Sequence, residues 1–151
     1  MQFETTVEIE AAPQDVWAAV IDAERWPQWT DSVQNVSWLD GATATVGSRA
    51  RIKQPGMPAL TWTVTELEPG RRFDWEATSA GVRTLGTHEV AAVGDGRSRL
   101  TLGLRQSGAL SGLVGALAGS RTRRYVRMEA EGLKRAAESR DATAPPAATR
   151  S

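Results

Sequence analysis

His88 is the only histidine in the chain. Imidazole is the side chain best suited to exchange a proton near physiological pH, so His88 could serve as a general acid or base if it meets solvent or a ligand. A Ser-His-Asp relay would have to use it. Alternation with Gly86 and Val90 puts it on the apolar face of a strand; the competing reading is a neutral imidazole satisfied by hydrogen bonds within the sheet. Arg121 is the second unusual residue. A helical wheel groups it with Val114, Leu117 and Tyr125, and a guanidinium among apolar neighbours should meet a carboxylate, a ligand oxygen or solvent at a cavity. Arg121 and Tyr125 could then orient a keto, enolate or carboxylate group, because fixed donors stabilise a developing oxyanion. The blander account of Arg121, Arg123, Arg124 and Arg127 is a solvated face with snorkelling stems.

Six tryptophans form the second candidate set: Trp17, Trp26, Trp29, Trp38, Trp62 and Trp75. An indole offers a broad apolar wall and one N–H that needs an acceptor, which suits a flat or polycyclic ligand. Ordinary core packing is the alternative, and Trp17 is read that way. Trp62 and Trp75 share strand faces with Val64 and Phe73 and are expected to point inward. Asp74, Glu76 and Glu89 alternate to the opposite face and are expected outside, as are Arg49, Arg51 and Arg83. One histidine, no cysteine and no clustered carboxylates leave no metal site, no thiol nucleophile and no disulfide. No dinucleotide fingerprint or phosphate-loop lysine surrounds Gly94-Asp95-Gly96, and no cofactor is expected.

With 151 residues, 18 basic and 18 acidic side chains, the chain can bury a core as one domain, assigned to 1–140. The zero net charge argues against a general nucleic-acid binder. The start of the chain lacks a secretory signal pattern. The longest uncharged stretch, 106–120, is shorter than the ~20 residues a spanning helix needs. Its small-xxx-small spacings, Gly108 to Gly112 and Gly115 to Gly119, would let it sit close over another surface. The expectation is a cytoplasmic protein without stable membrane insertion, monomeric or homodimeric, that handles a small molecule.

The elements that must position these residues follow from periodicity. Residues 2–9 alternate as a first strand; Pro13 and Asp15 then open a short helix, and Pro27 breaks a second one. Strands are expected at 33–39, 44–54, 60–68, 72–79, 82–93 and 97–106, separated by Gly/Pro/Asp turns. Such short connections favour an antiparallel meander. From 110 to about 139 the period is helical, with Leu110, Leu113, Val114, Leu117, Arg121, Tyr125, Met128 and Gly132 on one side and Glu129 and Glu131 among the solvated positions. Residues 141–151 read as a disordered tail. The sum is an α+β domain: a curved seven-stranded antiparallel sheet, two short helices, and one long helix laid across the concave face over a cavity.

Several stretches, in order, carry a family resemblance. They are Ile9-Glu-Ala-Ala-Pro13-Gln-Asp-Val-Trp17, Arg25-Trp26-Pro27-Gln-Trp29, Val46-Gly47-Ser-Arg49 and Glu66-Leu-Glu-Pro69-Gly70-Arg-Arg-Phe73, followed by Gly86-Thr-His88, Gly96 to Leu102, and Glu131-Gly-Leu133-Lys134. The chain resembles the START-like, Bet v 1-like (helix-grip) superfamily, in particular its bacterial polyketide cyclase/dehydrase-like branch. The resemblance spans about 2–139 and implies a hydrophobic ligand, aromatic, polyketide or lipid-like, held between sheet and helix. It places Trp26 and Trp29 near the cavity mouth, and makes Trp26, Trp29, Trp62, Phe73, Trp75 and Leu117 the candidate ligand contacts. It also implies two alternatives. One is a cofactor-independent cyclase or dehydratase using His88, Arg121 and Tyr125 on a poly-β-ketone; the other is a protein-interaction or toxin-antitoxin module.

Overall fold

Strand alternation and turn chemistry translate directly into the sheet. The computed structural model describes residues 1–41 and 44–143, with side chains as far as Arg140. Strand β1 (Gln2–Ile9) leads into helix α1 (Pro13–Ile21), with Pro13 in its first turn and Asp15 at the positive end of its dipole. A 3₁₀ helix, Ala23–Gln28, follows. Then come β2 (Asn35–Trp38), β3 (Arg49–Lys53), β4 (Leu60–Glu68), β5 (Arg72–Ser79), β6 (Val82–Gly94) and β7 (Arg97–Ser107), and finally helix α2 (Ser111–Thr143).

All pairings are antiparallel, in the order β1-β7-β6-β5-β4-β3-β2, with β1 and β2 at the two edges of an open sheet. Register shifts at Val64/Glu66 and Ala92/Gly94 bend the longer strands. The β5–β6 hairpin turns through Ala80 (φ 50°) and Gly81 (φ 76°), the two consecutive left-handed residues of a type I′ turn. The expected strands 33–39 and 44–54 are shorter here because their ends are drawn into turns. Ser32 N–H bonds to Thr30 Oγ1 at 3.2 Å, while Thr45 and Ser48 bond each other around Gly47.

The core lies between the concave face and the helices. Val16, Ala19 and Val20 of α1 face Ala130, Leu133, Ala136 and Ala137 of α2 and sheet residues such as Val64, Phe73 and Leu100. Close approach requires small residues on α2. A Cβ on Gly132 would lie 2.6 Å from the carbonyl oxygen of Trp29, so only glycine lets the helix seat there. Trp17 is half-buried rather than fully enclosed, though it packs against this core.

The phase of α2 departs from the expected one. Its inward residues are Gly119, Thr122, Tyr125, Val126, Glu129, Ala130, Leu133, Ala136 and Ala137, whereas Leu113 and Leu117 are 57% and 79% exposed. The wheel had been anchored on the leucines at the start of the helix, which do not face the sheet. The helix backbone continues to Thr143, so the expected tail begins later than 141; its remainder, 144–151, lies outside the described residues.

Candidate functional site

The curved sheet and α2 separate at one end and leave a cavity of about 90 Å³. Its sheet wall is built from alternate residues of adjacent strands: Ile52, Trp62, Trp75, Gly86, His88, Leu102, Leu104 and Gln106. Its helix wall is Thr122, Tyr125, Val126 and Glu129, spaced so that successive turns present them to one side. Trp26 of the 3₁₀ helix closes the inner end, and Gln54, Met57 and Leu60 line the β3–β4 side.

The wall is an aromatic cluster. Trp75 lies edge-on to Trp26 (ring centroids 5.4 Å apart) and to Phe73 (4.8 Å), and contacts Trp62 at 5.8 Å and Trp38 at 6.1 Å. Pairs of this geometry add ~0.5–1.5 kcal/mol each beyond their buried area. Trp26 is fixed further by donating its indole N–H to the Ala19 carbonyl at 3.2 Å. Trp75 needs a glycine opposite: a Cβ on Gly86, its register partner, would sit 3.2 Å from the indole.

His88 is only 3% exposed and stacks on Phe73, with ring centroids 4.9 Å apart and planes at 22°. Its Nδ1 is 2.9 Å from the Phe73 carbonyl oxygen, which can only accept, so Nδ1 carries a hydrogen. Its Nε2 is 3.1 Å from Oε1 of Glu129. A hydrogen bond there needs one proton between them, as imidazolium with carboxylate or as imidazole with carboxylic acid. The geometry sets the two groups in hydrogen-bond reach of each other at the wall of the cavity.

Each residue expected from the sequence has a definite place. Trp26, Trp62, Trp75, His88 and Tyr125 meet at the cavity. Tyr125 is already engaged, donating its hydroxyl to the Pro55 carbonyl at 2.8 Å. Phe73 is fully buried behind His88 and supports it without lining the cavity. Trp29 lines a separate hollow of about 60 Å³ with Asp22, Arg25 and Ala136. Arg121 does not line the cavity; its Nη1 is 3.4 Å from the Gly56 carbonyl, and its buried Nε has no partner among the described residues. Leu117 points away from the sheet. The last two follow the true phase of α2, which turns Arg121 sideways and Leu117 outward.

Six polar lining residues stand outside the expected set: Gln54, Thr84, Thr87, Gln106, Thr122 and Glu129. Glu129 had been assigned to solvent, yet its side chain is 16% exposed and paired with His88. The signal that could have found it is the spacing of Thr122, Val126, Glu129 and Leu133, a stripe parallel to the leucines. Gln106 leaves its Oε1 buried and unpartnered at the cavity. On the outer face, Asp74 is buried rather than solvated, because Arg72 covers it with two bonds of 3.0–3.1 Å. The hydrogen bond to Asp74 raises the Arg72 pKa above the usual guanidinium value. Among the described residues, no group of three His, Cys, Asp or Glu could hold a metal ion, and no helix is long and apolar enough to cross a membrane.

A seven-stranded antiparallel sheet gripping one long C-terminal helix, with an aromatic cavity between them, defines the helix-grip class. The chain belongs to the family described as polyketide cyclase / dehydrase and lipid transport, whose model matches residues 1–138. Among solved structures, it is similar to the Zhui aromatase/cyclase from Streptomyces sp. R1128, with 17% identity, TM-score 0.76, and coverage of 93% of this chain and 94% of that one. A START superfamily protein from Mycobacterium smegmatis matches at 19% identity and TM-score 0.66, covering 93% and 97%. Ara h 8.0201 matches at 11% identity and TM-score 0.66, covering 92% and 98%. At these identities the likeness is one of fold. A search of curated protein sequences gave no match.

Proposed function

We propose that the protein binds a small hydrophobic molecule carrying a ring and one polar group, with the ring against Trp62 and Trp75 and the polar group at the His88–Glu129 pair. The observation that carries this reading is the pair itself: two titratable groups joined across sheet and helix at the wall of a cavity lined by aromatic and aliphatic side chains with a few neutral polar ones. Size sharpens it. About 90 Å³ is far below the ~300–1,000 Å³ of pockets that enclose drug-sized ligands. It takes a handful of waters or a single ring, not an extended chain.

A second reading, cofactor-independent cyclisation or dehydration, is supported by the proton shared between His88 and Glu129, which could be given to or taken from a carbonyl or hydroxyl. The deciding experiment is a titration of single-ring phenols and aryl ketones, followed by tryptophan fluorescence and native mass spectrometry, on the parent and Glu129→Gln. Binding weakened at least tenfold by Glu129→Gln supports the ligand-binding reading. Turnover lost in both Glu129→Gln and His88→Gln supports the enzymatic one. If no compound binds the parent, both fail and the interaction-module reading takes their place.

A further inference from the structure

The outward face of α2 holds a feature the cavity does not use. At about 100° per residue, Leu113, Leu117, Ser120, Arg124 and Arg127 fall within about 40° of one line along the helix. The first turns of that line are apolar and exposed: Leu110 is 45% exposed, and Leu113 and Leu117 more so. Gly112 beside them has open space around it. Immediately after Ser120 come Arg121, Arg123, Arg124 and Arg127, and no acidic residue lies between 111 and 128. Arg121 and Arg123 flank the line, while Arg124 and Arg127 continue it, their guanidinium groups over the rings of Tyr125 and Phe3 at 5.6 and 5.0 Å. Leu110 also packs beside Gly81, so the β5–β6 hairpin tip adjoins this end. On the hairpin strands the acid Glu76 is neutralised by Arg83 at 2.8 Å.

We propose that this end of α2 docks on an anionic lipid surface, with Leu110, Leu113 and Leu117 entering the interface and the arginine collar at the phosphates. The dimensions match. Leu113 to Leu117 spans about 6 Å of helix, with Leu110 just before its first turn, and interfacial helices bury their apolar part ~5–10 Å deep. The arginines lie one to two turns further, at headgroup level, where each basic side chain adds to attraction for an anionic leaflet. A nucleic acid would use the arginines but leave the leucines in water. A second copy fits poorly: antiparallel pairing of two such stripes sets leucines against arginines, and parallel pairing sets arginines against arginines. Thr122 and Tyr125, on the same stretch of helix, line the cavity, so a docked molecule would hold that cavity close to the lipid. The docking proposal does not depend on what the cavity binds.

The test uses the full chain and vesicles of phosphatidylcholine, with or without about one-third phosphatidylglycerol. The protein should sediment with the anionic vesicles and not the neutral ones, and less so as salt rises. Leu113→Glu with Leu117→Glu should weaken binding about tenfold or more, with an unchanged melting temperature because both leucines are exposed. Arg124→Glu with Arg127→Glu should weaken it as well. Because the chain has no cysteine, a polarity-sensitive dye on Leu117→Cys reports insertion directly and should shift to the blue on anionic vesicles. Absence of binding overturns the proposal, as does binding without a blue shift. So does a dimer, seen by ultracentrifugation without lipid, that the paired glutamates dissolve.

Discussion

Replacing Glu129 by leucine removes the partner of His88 Nε2 and leaves that nitrogen inside an aromatic wall. The ring is 3% exposed, so water cannot substitute freely, and an unpaired buried polar group costs ~1–3 kcal/mol. Leucine recovers part of this by apolar contact with Val126 and the cavity, giving a net loss of about 1–2 kcal/mol. Glu129→Gln should cost well under ~1 kcal/mol, because its amide N–H can donate to the neutral imidazole at the same 3.1 Å position. His88→Phe combined with Glu129→Leu removes both polar partners, so it should destabilise less than the two single changes added together. Urea unfolding followed by tryptophan fluorescence resolves these differences. At a slope of ~1–3 kcal/mol per M, 1–2 kcal/mol moves the midpoint by about 0.3–2 M. Equal midpoints for the Gln and Leu variants, or strictly additive losses in the double variant, would refute a proton-sharing pair.

Three further outcomes follow from the packing and the charges. Gly132→Ala gains ~1 kcal/mol of helix propensity but drives a Cβ to 2.6 Å from the Trp29 carbonyl, an overpacking cost of ~1–3 kcal/mol, so urea melts should show a net loss of up to about 2 kcal/mol; a stabilised variant would contradict the close seating of α2. Tyr125→Phe removes the 2.8 Å bond to Pro55, which should cost about 0.5–1.5 kcal/mol and speed amide hydrogen exchange across residues 54–60; exchange as in the parent would show that the bond does not hold the loop. The bond from Lys134, with further help from the Glu10 amide, lowers the pKa of Glu138 from its ordinary 4.5 against the opposing effect of burial. Its contribution is therefore complete above that value and lost as pH falls through the folded-state pKa. Glu138→Gln should be about 0.5–1 kcal/mol less stable than the parent at neutral pH, the figure discounted because the side chain is 31% exposed. The difference should shrink as pH falls below 4.5 and through the lowered folded-state pKa; thermal melts at neutral and at acidic pH check the sign.

Period-two alternation and turn residues made the sheet legible, because each hairpin carries its own local signal at Gly70, Gly81 or Gly96. Trp62, Trp75 and His88 followed, since a strand offers only two faces and Val64, Phe73 and Val90 mark which is inner. A helix offers a continuous range of phases, and the wheel settled on the most apolar residues. Here those residues are Leu110, Leu113 and Leu117, which face away from the sheet. The contacting face shares only Tyr125 and Gly132 with the expected one, and it joins Val126 and Leu133 to Ala130, Ala136 and Ala137, small residues that seat closely and are weak as hydrophobic signals. Glu129 was hidden by the same logic. An acid on a helix reads as solvated until its partner is known, and its partner is 41 residues distant. Lids and hollows, such as the separation of Trp29 from Trp26, arise only when the helix is seated.

The cavity's small size and its aromatic wall are one property, not two. Side chains as large as Trp26, Trp62 and Trp75 take up space that smaller residues would leave open beneath a helix laid on a curved sheet. A ligand larger than one ring therefore needs the β3–β4 connection to move. That connection is tied to α2 by Tyr125 at Pro55 and Arg121 at Gly56, and Lys53 bonds the Gln54 and Met57 carbonyls, so it is braced as a unit. Two such bonds to the helix, at ~0.5–1.5 kcal/mol each, set an opening cost of about 1–3 kcal/mol. The open form would then be populated at roughly 0.6–15%, and a large ligand would bind about 6- to 160-fold more weakly than its intrinsic contacts allow. On the proposed reading a single-ring ligand would bear no such penalty, so the latch as well as the walls would favour small rings.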